Sequence, residues 1–267
     1  MRSSLAAALL LLAGAASAKD VRTFPPPDEL FPRLLAAPKE VKLGVSRYET
    51  HSRRYADLSL GHGWGLLQGR AGDQLTQWQV DAQAMSFSRW SGSSLEAVDL
   101  VAGLPLTVRR GDFSALAGLY HENSHLGDDH IRRTGRPAVR TNWTGLKALG
   151  ALEPWPVLRA YGGASFALDS APSPKRWGFQ AGAELMSEDL KVSKDVPVRL
   201  YAAEDVQFPE RVGFNPSSHV AAGVKLGWKE SRRSMRLQAG YYSGHSYYGQ
   251  FFADREHFAD LSVVLEL

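Results

Sequence analysis

The stretch FADLSVVLEL, residues 258–267, decides the fold class of this chain. Its apolar residues recur at every second position, and the residues between them are mostly polar: Ala259, Leu261, Val263, Leu265 and Leu267 alternate with Asp260, Ser262 and Glu266. Successive side chains of a β-strand point to opposite faces, so this segment has one apolar face and one polar face. The same alternation recurs along most of the chain and, behind a secretory signal peptide, is typical of a transmembrane β-barrel.

The N-terminus has the three parts of a secretory signal peptide. Arg2 precedes an apolar run from Leu5 to Ala13, and small residues end at Ala18. This pattern predicts a signal peptide at 1–18, with cleavage before Lys19, and its apolar run is too short to cross a bilayer. The proline-rich stretch 19–40 cannot form a long helix or a central strand, so we expect a periplasmic N-terminal segment there and a barrel domain at 41–267.

Composition excludes several other classes of protein. The chain contains no cysteine, so disulfides, thiolate metal sites and a cysteine-linked lipid anchor are impossible. After Lys19 there is no apolar run of about 18 residues, which argues against a transmembrane helix. The net charge of +3 and the pI of about 9.1 are mild, and the basic residues are scattered, which disfavours nucleic acid as a partner.

About twelve candidate strands follow Val41, and we expect a single antiparallel all-β barrel. A soluble sandwich or a lipocalin-like barrel would alternate in the same way. The number of long strands and the aromatic residues at strand ends favour a barrel in the outer membrane of a Gram-negative bacterium. An even strand count predicts that both termini are periplasmic. The long polar connections at 121–137, 209–217 and 245–256 would then all face the cell exterior.

The densest group of chemically active residues is YHENSHLGDDH, residues 120–130, and two further polar groups lie near the same rim. Together they supply these candidate catalytic residues: His121, Ser124, His125, Asp205 and His245. Asp128 and Asp129 could hold a divalent cation such as calcium. Strand parity, however, places His121 and His125 on the outer face and Ser124 on the inner face, so a His121–Ser124 pair requires a bulge near Asn123. The alternative is that the cluster is an ordinary polar loop.

Several segments resemble a known family. The stretches LPLTVRRGDFSALAGLYHENSHLGDDH, LRAYGGASFAL, WGFQAGAEL and GYYSGHSYYGQFF are similar to those of the bacterial envelope family numbered 1207 in the domain-of-unknown-function series. The resemblance extends from the Leu30–Phe31 region to the C-terminal strand. It implies an outer-membrane type of barrel and transfers no catalytic residues, because the family has no established activity.

A weaker likeness is to outer-membrane phospholipase A and the lipid A deacylases. Those barrels carry a His and a Ser two residues apart on the lipid-facing side, whereas His121 and Ser124 are three positions apart here and no Asn-Gly follows the serine. Three hypotheses follow: an acyl hydrolase acting on outer-leaflet lipid or lipopolysaccharide, a narrow solute channel or transporter, and a structural or surface-binding barrel without catalysis. Outer-membrane lipid and the barrel-assembly machinery are the expected partners, and the oligomeric state is open.

Overall fold

A computed structural model of the protein describes residues 19–27, 30–50, 53–190, 192, 196–228 and 231–266. The predicted signal peptide lies outside these residues. The described strands are β1 (Lys19–Thr23), β2 (Leu43–Glu49), β3 (Arg54–Arg70), β4 (Gln77–Ser91), β5 (Ser94–Arg110), β6 (Phe113–Leu126), β7 (Thr141–Trp155), β8 (Leu158–Ala171), β9 (Trp177–Met186), β10 (Val198–Pro209), β11 (Ser217–Trp228), β12 (Ser231–His245) and β13 (Arg255–Glu266).

Strands β2 to β13 form a closed antiparallel barrel of twelve strands, as the alternation predicts. Each strand pairs with its neighbours in sequence, and β2 closes the ring by pairing with β13. The additional strand, β1, pairs with the end of β3 that extends beyond β2. The sequence did not indicate β1, because its five residues are too few for a period of two to be recognised.

Short helical segments lie between some of the strands. Helix α1 spans Asp128–Thr134, and single 3₁₀ turns occur at Glu210–Val212 and Gly249–Phe251. Within the described ranges, no helix has the length and apolar character that a membrane crossing requires.

The two faces of the barrel wall differ as the sequence predicts. On β5, Leu100 and Leu104 point outward and are 47% and 55% exposed, whereas Asp99, the inward residue next to Leu100, is fully buried. On β13, outward Leu261 is 69% exposed and inward Asp260 only 6%. An apolar exterior around a polar interior is the arrangement of a membrane barrel, the reverse of a soluble one.

The connections define two ends of the barrel. The end that we call the loop end carries the connections 127–140, 172–176, 210–216 and 246–254. The opposite end, which we call the turn end, carries the tight turns 111–112 and 156–157. The three long connections identified in the sequence therefore lie together at the loop end. Longer connections at the turn end are 71–76 and the one that joins β9 to β10.

Residues 30–42 lie inside the barrel, and we call this segment the luminal plug. Leu30, Leu34 and Val41 are 2%, 1% and 0% exposed. The sequence predicts a periplasmic segment at 19–40 that leads into the first strand; the structure places residues 30–40 of this stretch in the lumen, and the first barrel strand begins at Leu43. The physical reason is that prolines prevent a strand or helix but not burial, and the apolar side chains of this stretch bury themselves in the lumen.

The plug's backbone has no sheet partner, so side chains of the barrel wall satisfy its polar groups. The Leu35 backbone N–H donates to Glu184 Oε1 at 2.7 Å, and Arg236 Nη1 donates to the Leu35 carbonyl at 2.9 Å. Lys39 Nζ lies 2.5 Å from carboxylate oxygens of both Asp99 and Glu122. These contacts connect the plug to strands on several sides of the barrel.

Candidate functional site

The predicted 120–130 cluster lies mainly on a strand rather than in a loop. Strand β6 continues to Leu126, and its pairing with β5 runs without a register shift from Ala97↔Leu126 to Arg110↔Phe113. The bulge that a His121–Ser124 pair requires is therefore absent from β6. His121 and His125 point outward and are exposed, whereas Ser124 points inward, as strand parity predicts.

Ser124 is 4% exposed and belongs to the barrel's internal hydrogen-bond network. Its hydroxyl donates to Asp99 and accepts the Gln250 backbone N–H at 2.9 Å. The Gln250 side-chain amide in turn donates to the Ser124 carbonyl at 2.8 Å. Ser124 thus joins the first predicted cluster to the 246–254 connection, and this hydroxyl holds the connection inside the mouth of the barrel.

Asp205 and His245 lie apart from His121. Asp205 is 1% exposed and accepts hydrogen bonds from Tyr161 at 2.8 Å and from Gln180 at 2.6 Å. Both Asp205 and His245 line one small cavity of about 30 Å³ inside the loop end. The structure therefore brings these two predicted residues near each other, but inside the barrel, on the opposite side of the wall from His121.

The predicted cation ligands Asp128 and Asp129 lie in the first turn of α1, where Asp129 accepts a hydrogen bond from Arg132. Over the residues that the structure describes, no group of three or more His, Asp or Glu side chains is placed to hold a metal ion.

The contacts of His121 reveal a different group of residues on the outer wall. His121 Nδ1 lies 2.7 Å from Thr144 Oγ1 on β7, directly across the pair of strands. His121 Nε2 lies 3.0 Å from the Asn123 side-chain amide. One imidazole thus contacts a hydroxyl through one ring nitrogen and an amide through the other.

Two more polar side chains extend this group along β7 and β8. Asn142 Nδ2 donates to Asp169 Oδ2 at 2.7 Å, and Arg140 Nε donates to Asn142 Oδ1 at 3.1 Å. Asp169 is itself the cross-strand neighbour of Thr144. Five outward side chains form a group that we name the outer polar patch: His121, Asn123, Asn142, Thr144 and Asp169.

The outer polar patch borders the apolar exterior. Two positions below the His121↔Thr144 pair, Leu119 and Leu146 face each other across the same strands and are 44% and 51% exposed. The patch thus lies where the barrel's outer surface changes from apolar to polar, near the loop end.

Sequence reasoning identified His121 but missed Thr144. The alternation on β7 is obscured because Arg140, Asn142, Trp143 and Lys147 do not separate into one apolar and one polar face. The sequence did contain a signal for Thr144: Asn142 and Thr144 are two polar residues at successive outward positions of β7, and the next outward residue is Leu146.

The His121 contacts suit nucleophile activation once the Asn123 amide is turned over. Asn123 Nδ2 faces His121 Nε2 at 3.0 Å; with the amide oxygen and nitrogen exchanged, Nε2–H donates to Asn123 Oδ1 and Nδ1 accepts the Thr144 hydroxyl proton. In that state His121 can take the Thr144 proton while Asn123 holds the ring in place.

Comparison with known sequences places the chain in a family. The sequence profile described as "Protein of unknown function (DUF1207)" matches residues 13–265, which is nearly the whole chain. The chain belongs to this family. This match confirms the resemblance to the family that the sequence segments indicate. No curated protein matches the chain at the sequence level.

Solved structures share the barrel fold. Outer membrane phospholipase A from Escherichia coli is similar with a TM-score of 0.54 at 10% identity, over 85% of this chain and 90% of that one. The calcium-bound dimer of the Salmonella typhi outer membrane phospholipase gives 0.51 at 11% identity, over 90% and 94%. LpxR from Salmonella typhimurium gives 0.40 at 11% identity, over 85% and 100%. At these identities the likeness to the two phospholipase structures concerns the fold of the chain alone.

Proposed function

We propose that this protein is an acyl-ester hydrolase of outer-membrane lipid, with its reaction centre on the outer wall of the barrel rather than in the lumen. The observation that carries the proposal is the 2.7 Å contact between His121 Nδ1 and Thr144 Oγ1 on an outward-facing surface. A location in the Gram-negative outer membrane is part of the proposal and is supported by the apolar exterior and by the outer-membrane barrels that share the fold.

The proposed reaction uses Thr144 as the nucleophile. Its Oγ1 forms a bond to the ester carbonyl carbon as its proton passes to His121 Nδ1. Collapse of the tetrahedral intermediate breaks the bond to the alcohol, which leaves with the proton from His121. Water then attacks the carbonyl carbon of the acyl-threonine as His121 takes its proton. The bond between Thr144 Oγ1 and the acyl carbon breaks, His121 returns the proton to Oγ1, and the fatty acid leaves.

The position of the outer polar patch suits a lipid ester. The ester groups of a bilayer lipid lie between its apolar chains and its polar headgroup. The patch lies between the exposed Leu119–Leu146 pair and the loop end, so acyl chains could lie against the leucines while the ester reaches Thr144. Exposed Arg140, bonded to Asn142, places a positive charge beside the patch that would favour an anionic headgroup.

The interior supports the hydrolase hypothesis over the channel hypothesis. The luminal plug lies across the lumen and is bonded to several strands through Glu184, Arg236 and Asp99. A solute would have to displace these contacts to pass. A lipid approaching the outer wall displaces none of them.

The test is fatty-acid release from vesicles of defined phospholipid or lipopolysaccharide containing the purified, folded protein, with and without calcium. His121→Ala and Thr144→Ala should each lower the rate at least about 100-fold, the usual effect of losing a general base or nucleophile. His62→Ala is the matched control, because His62 is also an exposed outward histidine on the barrel wall, on β3.

An equal loss in His62→Ala would show that the effect is not specific to the outer polar patch. Absence of release by the wild type in every lipid tested would contradict the proposal. Solute entry in a liposome swelling assay would then favour the channel, and its absence a structural barrel. Lipid as substrate and the barrel-assembly machinery as partner belong to the same proposal.

A further inference from the structure

A cavity inside the loop half of the barrel has no role in the proposed hydrolysis. Its volume is about 230 Å³, and its walls include inward side chains of several strands above a floor formed by Phe31 and Pro32 of the luminal plug. One water needs roughly 10–15 Å³ of such space, so the cavity can hold well over ten waters or a small organic solute. It is on the opposite side of the barrel wall from the outer polar patch.

Cations dominate the lining of this cavity. Six basic side chains line it, against the carboxylates of Glu40 and Glu122 alone: Arg33, Lys39, Lys147, Lys175, Arg176 and Arg211. Lys39 already pairs with Glu122 and with Asp99, and Glu40 accepts the backbone N–H groups of Leu34 and Val41. The acidic groups of the lining are therefore engaged by the plug itself.

Four of the basic side chains lack a carboxylate salt bridge in the described part of the chain: Lys147, Lys175, Arg176 and Arg211. Arg176 and Arg211 contact aromatic rings, with their guanidinium carbons 5.9 Å from the Phe166 centroid and 5.5 Å from the Phe252 centroid. Glu210 lies at the rim near Lys175. Hydrogen bonds from the backbone N–H groups of Trp177 and Arg176 lower the pKa of Glu210, so this carboxylate stays charged and offsets one cation. A clear excess of positive charge remains.

Lys147 is the member of this group that lies on a strand of the barrel wall. It lies on the inward parity of β7, in line with buried Leu149 and Ala151, whereas Lys175, Arg176 and Arg211 belong to connections at the rim. A lysine in a partly buried position carries an electrostatic cost unless an anion accompanies it. Among the described residues no carboxylate forms an ion pair with Lys147, so its ammonium group is available to an anionic solute.

We propose that this cavity binds a soluble organic phosphate that enters from the loop end, with Lys147 as its principal charge partner and the rim cations as its entry path. A phosphate group suits the site because its oxygens accept hydrogen bonds from several Lys and Arg donors at once. Sugar-sized phosphates fit the volume. A bilayer lipid lies against the outer face of the barrel wall, so a ligand that reaches this cavity from the loop end comes from solution.

The proposal is tested by isothermal titration of the purified barrel in an uncharged detergent with glucose 6-phosphate, inorganic phosphate and glucose. Both phosphates should bind and glucose should not. The affinity should fall as sodium chloride is raised, because salt screens the cations. Lys147→Gln should weaken binding about tenfold or more, and Lys147→Arg should restore most of it.

Arg132→Gln is the matched control, because Arg132 is a 73% exposed cation at the same end but does not line the cavity. Its phosphate affinity should remain within about twofold of the wild type. Heat-modifiable gel mobility shows whether each variant is folded. Absence of phosphate binding at millimolar concentration, or equal losses in Lys147→Gln and Arg132→Gln, overturns the proposal. If a phospholipid in vesicles binds more tightly than glucose 6-phosphate, the proposal that the ligand is a soluble phosphate is wrong.

Discussion

Replacement of Lys39 by methionine should release the luminal plug from one wall of the barrel. Lys39 Nζ lies 2.5 Å from oxygens of Asp99 and Glu122, and its side chain is 16% exposed while that of Asp99 is fully buried. Removing one partner of a buried ion pair costs about 3–5 kcal/mol because the other charge stays buried without its partner. Asp99 keeps hydrogen bonds from Ser124 and from the Gly249 backbone N–H, so we expect about 3 kcal/mol for Lys39→Met.

Urea unfolding of the purified protein in detergent, followed by tryptophan fluorescence, measures this loss. Combining Lys39→Met with Asp99→Asn should cost less than the sum of the single changes by about 1–3 kcal/mol, since the two groups contact each other. Arg54→Met is the control, because the exposed Arg54–Glu49 pair should contribute less than about 1 kcal/mol. If Lys39→Met and Arg54→Met were equally mild, the plug would not be held by this ion pair.

Two further predictions concern the membrane. If the loop end faces the cell exterior, a cysteine that replaces Asp128 or exposed Ala253 should react with an impermeant reagent on intact cells, and a cysteine that replaces Ser231 should not. The reverse labelling pattern would show that the turn end faces the exterior. Leu261→Arg should lose about 2–4 kcal/mol of stability because it places a cation on the apolar exterior, whereas Ser262→Arg, on the inward face, should be milder; equal urea midpoints for the two variants would argue against a membrane-facing exterior.

The barrel was predictable from the sequence because period-two alternation is a local property of each strand. It gave the number of strands, the shared end of the long connections and the outward parity of His121. The plug was not predictable in this way. Its location depends on contacts between Leu35 and residues such as Glu184 and Arg236, which are 149 and 201 positions away in the chain.

The candidate site was predictable only in part, for a related reason. His121 stands out in the sequence, but its hydroxyl partner is set by the register of β6 against β7, which joins His121 to Thr144 across the 127–140 connection. Ser124, three positions from His121, was the nearer choice in sequence. Regular pairing of β6 turns it inward, where it holds Gln250. Thr144 could not be identified as the partner of His121 without knowing how β6 pairs with β7.

Burial makes Tyr248, in a connection that the sequence predicts to be exterior, a poor site for the cysteine-labelling experiment. The sequence suggests an exterior loop at 245–256, but Tyr248 is 1% exposed and folds into the mouth of the barrel. A cysteine there would be hidden whichever way the barrel faces. Ala253, in the same connection, is exposed and serves instead.

The most direct test of the proposed function is covalent trapping of the nucleophile. A long-chain alkyl p-nitrophenyl phosphonate should form a P–O bond to Thr144 Oγ1 with loss of p-nitrophenolate, and mass spectrometry of the digested protein should find the adduct on the peptide that contains Thr144. The adduct should be absent from Thr144→Ala, strongly reduced in His121→Ala and unchanged in His62→Ala. An unlabelled wild type, or an adduct on Ser124, would contradict the assignment of Thr144 as the nucleophile.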